Sequence, residues 1–492
     1  MSTMEPPAPL GFEQGRNCWQ VGRASRAAVI VDADDYFAHL RAAMLAARER
    51  ILMIGWDFDA RIPLVRSALG PDDPPAGLGD LILWIAQKHP SVKTHILKWD
   101  VGSLKMLGRG TTLLTAMRWA LHPRIQFKLD GAHPPGCSHH QKIVVVDDAL
   151  AFCGGIDTTG DRWDTRAHLP SDPRRRRPNG RAYGPWHDIT MAVDGEAAAL
   201  LGRLGRDRWY RAGGQRLAPC ALRRDLWPCG LDPQFNDLDL AISRTRADYQ
   251  ENGDVREIEA MVLDQIASAR RFIYAENQYF TSRRIAEAIA RRLAEPDPPE
   301  IFLVQPETAD GWLEQQAMDG ARVRLVRALR AKDPKHRFHL MVPYSADDLS
   351  IYVHAKLMIV DDLVLRVGSA NMNNRSLALD SECDVTLRAE AAGDRVSQAI
   401  LRLRAGLLAE HAGLNPALVE AQLAAGKPMH ALLGTSARGG RCLRPLPTPP
   451  LGSVEQFVAD HEILDPESPE ALFERPARRR LFRKPRLITP RD

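Results

Sequence analysis

The feature that most constrains this chain is a ten-residue pattern that occurs twice, more than two hundred residues apart. Residues 139–148 read HHQKIVVVDD, and residues 353–362 read VHAKLMIVDD. Each copy places a histidine, a lysine two residues later and an aspartate five residues after the lysine. A pattern repeated in both halves of a long chain predicts an internal duplication, with one structural unit around each copy.

The similarity between the two halves extends to both sides of the repeated pattern. Each half begins with a helical apolar period followed by a short apolar run, which predicts a helix and then a buried strand. Strand-like segments precede each copy, at 92–100 and 123–131 in the first half and at 300–307 and 336–344 in the second. This alternation predicts an α/β fold of two pseudo-twofold-related lobes, with central mixed sheets flanked by helices.

The length of 492 residues exceeds what one ordinary core supports, so more than one domain is expected. The predicted organisation is a series of four segments: an N-terminal lobe at 15–215, a connecting segment at 216–250, a C-terminal lobe at 251–430, and a Pro-rich and basic tail at 431–492.

Composition limits the setting in which the chain works. No apolar run approaches the roughly 18–20 residues of a membrane span, and the first residues lack the pattern of a signal peptide. The seven cysteines are scattered, as in reduced proteins. We therefore expect a cytoplasmic monomer. Basic runs at 174–177 and 475–486 are either simply solvated or contact an anionic membrane surface, with polynucleotide as the rival ligand.

The repeated pattern carries groups suited to phosphate chemistry. Side chains two residues apart on a strand share a face, so His140 pairs with Lys142 and His354 with Lys356. A pseudo-twofold axis would bring the two pairs to one pocket. One histidine can then attack phosphorus while the other protonates the leaving alkoxide, and the lysines stabilise the non-bridging oxygens.

Other residues near the repeats complete the predicted site. Asp188 and Glu382 each begin an apolar run after one copy, and each is a candidate to orient a histidine. Further polar groups and close-approach backbone are expected to contact the phosphate or the rest of the substrate: Gly155, Asp157, Ser369, Asn371, Asn277 and Gln278. The spacing of His133, His139 and His140 lacks supporting carboxylates or cysteines, so no metal is predicted there.

These motifs resemble the phospholipase D superfamily, whose signature is His-x-Lys-x4-Asp followed by Gly-Gly or Gly-Ser. The flanking segments GGIDTTGDRWD, PWHDI, YAENQYF and NNRSLALDSE resemble the phospholipase D enzymes proper, over roughly residues 15–430. The resemblance implies a two-lobed α/β fold and a ping-pong mechanism without metal or cofactor. It also implies that His140 is the nucleophile and His354 the general acid and base, with Asp147 and Asp361 completing the catalytic motifs in a mainly structural role.

Three activities fit this reading. The first is hydrolysis of a glycerophospholipid such as phosphatidylcholine to phosphatidate and a headgroup alcohol, with transphosphatidylation as a side reaction. The second is phosphatidyl transfer to an alcohol, as in cardiolipin or phosphatidylserine synthesis. The third is cleavage of nucleic acid, which is disfavoured because no interleaved aromatic and basic platform is visible. The flanking segments favour hydrolysis. At position 157 this chain has an aspartate where many members of the superfamily carry an asparagine.

Overall fold

The computed structural model describes residues 10–100, 111–221, 224–251, 253–309, 318–435, 440–448 and Asp465. Most of its strands join in one large mixed sheet flanked by helices. This confirms the predicted α/β class.

The first lobe contributes eight strands: β1 (Gln20–Val31), β2 (Arg50–Gly55), β3 (Lys93–Trp99), β4 (Ile125–Asp130), β5 (Ile143–Val146), β6 (Leu150–Gly154), β7 (Trp186–His187) and β8 (Ile189–Asp194). Its helices within the described residues are α1 (Ala33–Ala46), α2 (Leu78–Lys88), α3 (Thr111–Ala120) and α4 (Gly195–Arg211).

The strands of the second lobe and of the segment after it are β9 (Phe235–Arg246), β10 (Val255–Arg256), β11 (Phe272–Asn277), β12 (Glu300–Val304), β13 (Phe338–Tyr344), β14 (Tyr352–Val353), β15 (Lys356–Val360), β16 (Val364–Gly368), β17 (Glu382–Arg388) and β18 (Cys442–Pro445). The helices described here are α5 (Glu257–Ser268), α6 (Arg283–Leu293), α7 (Gly320–Arg330), α8 (Asn374–Ala378), α9 (Arg395–Ala412) and α10 (Pro416–Ala424), and a 3₁₀ helix spans Met429–Thr435.

The strand order is the same in both lobes when it is read outward from the centre of the sheet. The first lobe runs β1-β8-β6-β5-β2-β3-β4, and the second runs β9-β17-β16-β15-β11-β12-β13. The two series meet where β1 pairs antiparallel with β9, with Gln20 opposite Ile242 and Ala27 opposite Phe235. The predicted pseudo-twofold relation is therefore built into a single continuous sheet.

Helices cover the two faces of the sheet in a repeated manner. One hydrophobic cluster packs α4, α9 and α10 against residues of both lobes, including Leu52 and Leu357. On the opposite face, α1 and α2 pack on the first lobe, and α5, α6 and α7 pack on the second. Strands buried on both faces explain the continuous apolar run IVVV of β5 and LMIV of β15.

The aspartate that ends each His-x-Lys-x4-Asp motif anchors the strands next to the site. The carboxylate of Asp147 accepts hydrogen bonds from the backbone N–H groups of Arg48, Glu49 and Arg50 at 2.7, 2.8 and 2.6 Å. Asp361 accepts the equivalent bonds from Arg270, Arg271 and Phe272. Both aspartates have positive φ, 53° and 56°, a conformation that aspartate tolerates better than most residues. Each one ties the end of β5 or β15 to the start of β2 or β11.

Two of the predicted segment limits need revision. The segment 216–250, expected to be a connection, contains β9, which lies at the centre of the sheet. The segment from residue 431 contains β18, which pairs antiparallel with β13 and extends the edge of the sheet. The sequence did not predict either strand, because each forms through pairing with a distant strand and has no clear local apolar pattern.

In the first basic run, one arginine is buried and two others form ion pairs at the surface. The Arg175 side chain is buried, and its Nη1 donates to Oδ1 of Asp164 at 3.0 Å, while Arg174 and Arg177 pair with Asp172 and Asp161. The second basic run, at 475–486, lies outside the described residues. No helix in the described residues has the length and apolar character needed to span a bilayer.

We predict that Asp361→Ala lowers the free energy of unfolding by about 3 kcal/mol, because three backbone donors lose their acceptor at the start of β11. Thermal and denaturant unfolding would measure the loss. Asp72→Ala, at an exposed position, is the matched control and should leave the melting temperature unchanged. An unchanged stability of Asp361→Ala would contradict the anchoring role.

Candidate active site

The two repeated patterns bring their histidines to the same region of the molecule, each just before a strand. His140 precedes β5, and His354 precedes β15. In both patterns the lysine folds back on its own segment: Nζ of Lys142 donates to the carbonyl of His140 at 2.8 Å, and Nζ of Lys356 donates to the carbonyl of His354. Each ammonium group is thereby held beside an imidazole of the same copy.

Short backbone contacts between the lobes set the position of each histidine. In one, β7 and β14 pair in parallel, and the N–H of His354 donates to the carbonyl of His187 at 2.7 Å. In the other, His139 forms a parallel bridge with Ser381, and the N–H of His140 donates to the carbonyl of Ser381 at 2.9 Å. These two contacts are equivalent under the pseudo-twofold axis, so each histidine lies next to a residue of the opposite lobe.

The consequence is that each histidine is oriented by a carboxylate from the other lobe. Nδ1 of His140 lies 3.0 and 3.1 Å from the two carboxylate oxygens of Glu382. Nδ1 of His354 lies 2.7 Å from Oδ2 of Asp188. When Nδ1–H donates to the carboxylate, Nε2 is left with its lone pair, which is the tautomer that a nucleophile or a general base requires.

Both imidazoles line one cavity of about 570 Å³. Aromatic side chains and two arginines share this cavity with the predicted residues Asp157, Gln278 and Asn371. The side chains that sequence reasoning missed are Trp56, Trp99, Arg162, Trp186, Tyr279 and Arg375. Three of them, Trp56, Arg162 and Tyr279, lie on loops that follow strands, and no local periodicity distinguishes the aromatic residues of the set from core aromatics. The polar loop after β6, GGIDTTGDRWD, was the available signal for Arg162.

Burial and positive charge determine the protonation of the histidines. Burial lowers the pKa of His140 well below 6.5, and the nearby Lys142 and Lys356 lower it further. Burial and Lys356 act in the same direction on the pKa of His354, with Arg162 as a further contributor. Both rings are therefore neutral at neutral pH in the substrate-free protein.

The partners of the histidines are shifted by burial as well. Burial raises the pKa of Glu382 to about 8, against the opposing effect of Lys142. Burial raises the pKa of Asp188 to about 6 and lowers the pKa of Lys356 to about 7. A concentration of shifted groups in one cavity is typical of catalytic sites, because such groups gain or lose protons near neutral pH.

In the first lobe, the two residues predicted to contact phosphate, Asp157 and Gly155, have different contacts. Oδ2 of Asp157 lies 3.2 Å from Nζ of Lys142, and its Oδ1 accepts from the N–H of Trp56 at 3.1 Å. Gly155 lies against the Asp188 carboxylate, and a Cβ at this position would overlap Oδ1 of Asp188. Asp157 thus compensates the charge of a lysine, while Gly155 makes room for the carboxylate that orients His354.

The predicted residues of the second lobe form a connected set. Oγ of Ser369 donates to Oε2 of Glu382 at 2.5 Å, so it supports the partner of His140. Gln278 accepts through Oε1 from Lys356 at 3.3 Å and from Asn371 at 3.5 Å. Asn277 is bonded to backbone instead, since its Oδ1 accepts from the N–H of Met372 at 2.9 Å. Asn277 therefore shapes the loop that carries Asn371.

We predict that the imidazole of His140 is neutral at pH 6.5 in the substrate-free protein, because burial and two lysines hold its pKa well below 6.5. Ring-nitrogen NMR of ¹⁵N-histidine-labelled protein would measure the titration, with His140→Gln providing the assignment. Addition of a tetrahedral oxyanion such as tungstate should shift the midpoint upward. A midpoint at or above 6.5 without the oxyanion would contradict the prediction.

Comparisons with known proteins identify a family model and several relatives that are similar to this chain. A family model described as "Cardiolipin synthase, PLD-like domain" matches residues 262–404. "Phospholipase D A" of Dictyostelium discoideum is 27% identical over 78% of this chain and 35% of its own length. "Phospholipase D alpha 1" of Carica papaya is 25% identical over 69% of this chain and 58% of its own length. The chain thus spans between about a third and three fifths of these two relatives.

A solved structure shows the same architecture. The crystal structure of phosphatidylserine synthase from Haemophilus influenzae Rd KW20 superposes with a TM-score of 0.54 and 11% identity, over 86% of this chain and 96% of that one. At this identity the match concerns the fold alone. The family model and the sequence relatives support the resemblance of this chain to the phospholipase D superfamily.

Proposed function

We propose that this chain is a phospholipase D-type phosphodiesterase that hydrolyses a glycerophospholipid, such as phosphatidylcholine, through a phosphohistidine on His140. The observation that carries the proposal is the pair of imidazoles in one cavity, each fixed at Nδ1 by a carboxylate of the opposite lobe. Phosphoryl transfer by two histidines requires this arrangement, because both rings must present Nε2 to one phosphorus atom from opposite sides.

In the first step, the Nε2 lone pair of His140 attacks phosphorus, and the bond from phosphorus to the headgroup oxygen breaks. The bound phosphodiester carries a negative charge that stabilises the imidazolium form of His354, so this ring can protonate the leaving alkoxide. In the second step, His354 takes a proton from water while the water oxygen attacks phosphorus. The P–N bond breaks, and the electron pair returns to Nε2 of His140.

Cationic side chains near the reacting group would stabilise the negative charge of the transition state. Lys142 and Lys356 are buried, 5% and 0% exposed, and each is held by the carbonyl of its own motif. Buried and preorganised charges stabilise a pentacoordinate phosphorane more strongly than solvated ones do. Arg162, which lies over the ring of Trp186 at 4.3 Å, and Arg375 line the cavity itself.

The aromatic wall supports a choline-type headgroup. The rings of Trp56 and Trp99 stack with centroids 5.9 Å apart, and both residues line the cavity. Indole faces attract quaternary ammonium groups through their π electrons. The same intermediate can be taken by an alcohol in place of water, so transphosphatidylation is expected when a small alcohol reaches the cavity.

We predict that phosphatidylcholine vesicles yield phosphatidate and choline, and that ethanol diverts part of the product to phosphatidylethanol. Lipid chromatography with mass detection would measure both products. His140→Ala should reduce the rate at least about 10³-fold because the nucleophile is lost, whereas His39→Gln, outside the cavity, should retain the wild-type rate. Phosphatidylethanol without phosphatidate would favour a transferase, and no lipid product would contradict the proposal.

We also predict that His354→Ala traps the intermediate when the leaving group needs no proton. A phosphodiester of p-nitrophenol should give a burst of about one equivalent of p-nitrophenolate and then stall, because water is no longer activated. Intact-mass and peptide analysis should locate the adduct on His140. Steady turnover in His354→Ala, or a burst in His140→Ala, would show that the two roles are assigned wrongly.

A further inference from the structure

A second cluster of chemically active side chains lies behind the candidate active site. It consists of Asp32, at the junction of β1 and α1, His168, in the loop after β6, His187, in β7, and Glu410, in α9. All four side chains are buried, with exposures of 1%, 1%, 0% and 6%. None of them lines the catalytic cavity.

Four donor–donor distances in this cluster are close to those between the ligands of one metal ion, and the donor atoms of all four residues lie within 4.8 Å of one another. Nε2 of His168 lies 3.1 Å from Oε1 of Glu410 and 3.3 Å from Oδ2 of Asp32. Nδ1 of His187 lies 3.5 Å from the same Glu410 oxygen and 3.2 Å from Oδ1 of Asp32. Nitrogen and oxygen ligands placed about 2.0–2.2 Å from Zn²⁺ in tetrahedral geometry are separated by roughly 3.3–3.6 Å.

Two atoms of the cluster point toward its centre without a hydrogen bond. Among the described residues, Oδ2 of Asp32 and Nδ1 of His187 have no hydrogen-bond partner, although each lies within 3.5 Å of an oppositely charged or polar group. A buried polar atom without a partner is costly, so such atoms are rare unless water or an ion satisfies them. Their convergence on one point indicates a shared ligand.

In each histidine of the cluster, the second ring nitrogen contacts a carboxylate outside the cluster, as is common for histidines that bind a metal. Nδ1 of His168 lies 3.1 Å from Oδ2 of Asp164, and Nε2 of His187 lies 2.7 Å from Oε2 of Glu276. Histidines that bind a metal through one nitrogen commonly donate the other N–H to a carboxylate, which fixes the tautomer and raises the basicity of the ring. Here both histidines have this second carboxylate.

The charges around the cluster leave room for one divalent cation. The four carboxylates in contact with the two histidines are those of Asp32, Asp164, Glu276 and Glu410. Two guanidinium groups pair with them: Arg175 with Asp164, and Arg166 with Glu410 at 2.5 Å. The remaining deficit of two positive charges can be met by protonating both imidazoles or by one divalent cation bound to neutral rings.

The geometry points to a structural Zn²⁺ site formed by Asp32, His168, His187 and Glu410, separate from the reacting atoms. The donor set of two imidazoles and two carboxylates suits Zn²⁺ better than Ca²⁺ or Mg²⁺, which prefer oxygen ligands. Binding breaks two imidazolium N–H bonds and forms two N–Zn bonds, so two protons leave for each ion bound. No oxidation or reduction is involved.

Such an ion would hold the two lobes together next to the general acid. Three ligands come from the first lobe, and Glu410 comes from α9 of the second. The N–H of Asp188 donates to Oδ1 of Asp32 at 3.1 Å, and the carbonyl of His187 accepts from the N–H of His354. The site therefore fixes the backbone on which the His354–Asp188 pair is built.

The test begins with the metal content of the full chain, purified through a tag that binds no metal and measured by mass spectrometry of the elements. We expect about one Zn²⁺ per chain. His168→Gln and Glu410→Gln should lose most of this zinc, whereas His39→Gln, on the neighbouring helix α1, should keep it. Co²⁺ in place of Zn²⁺ should give the visible absorption of a tetrahedral site.

A second measurement remains informative if the ligand variants fail to fold. Wild-type protein expressed in metal-depleted medium would be titrated with ZnCl₂ in weak buffer at pH 7, and the expected result is a release of about two protons per ion together with a higher melting temperature. Zinc that stays bound in both ligand variants would indicate adventitious metal. Addition of zinc without proton release or thermal shift would overturn the site and favour two protonated histidines.

Discussion

The candidate site depends on a hydrogen bond between the imidazole of one lobe and a carboxylate of the opposite lobe. It occurs twice, between His140 and Glu382 and between His354 and Asp188. Each lobe by itself would hold a histidine without its orienting group. A functional site therefore requires both copies of the repeat, and the continuous sheet through β1 and β9 provides the rigid frame that keeps them in register.

The same geometry explains why neither aspartate of the repeated motif lines the cavity that holds the two imidazoles. Asp147 and Asp361 each bind three backbone N–H groups at the far end of the strand that follows the histidine and lysine. They fix the start of β2 and β11, whose other ends lead to the cavity. The motif therefore combines a histidine that lines the cavity with an aspartate that anchors the neighbouring strands, although both belong to one sequence pattern.

Electrostatics in the cavity favour an anionic substrate. Burial and the buried lysines keep both imidazoles neutral, so the substrate-free site holds two buried lysines and no imidazolium that could donate a proton. An incoming phosphodiester relieves both conditions, because its charge offsets the lysines and stabilises one imidazolium. In the proposed reaction, substrate binding therefore prepares the acid catalyst. The proposed zinc site would act on the same region from behind, through the backbone of His187 and Asp188.

The amino-acid sequence was enough to predict the α/β class, the duplication, the paired histidines and lysines, and most of the strands around them. These features could be predicted because local apolar periodicity and a repeated motif are carried by neighbouring residues. It pointed to Asp188 and Glu382 as candidates to orient the histidines. Only the tertiary structure decided that each carboxylate serves the histidine of the other lobe, because this pairing depends on parallel bridges between segments far apart in the chain. For the same reason, β1 and β9 became central strands, and Asp32, His168, His187 and Glu410 came together from four separate segments.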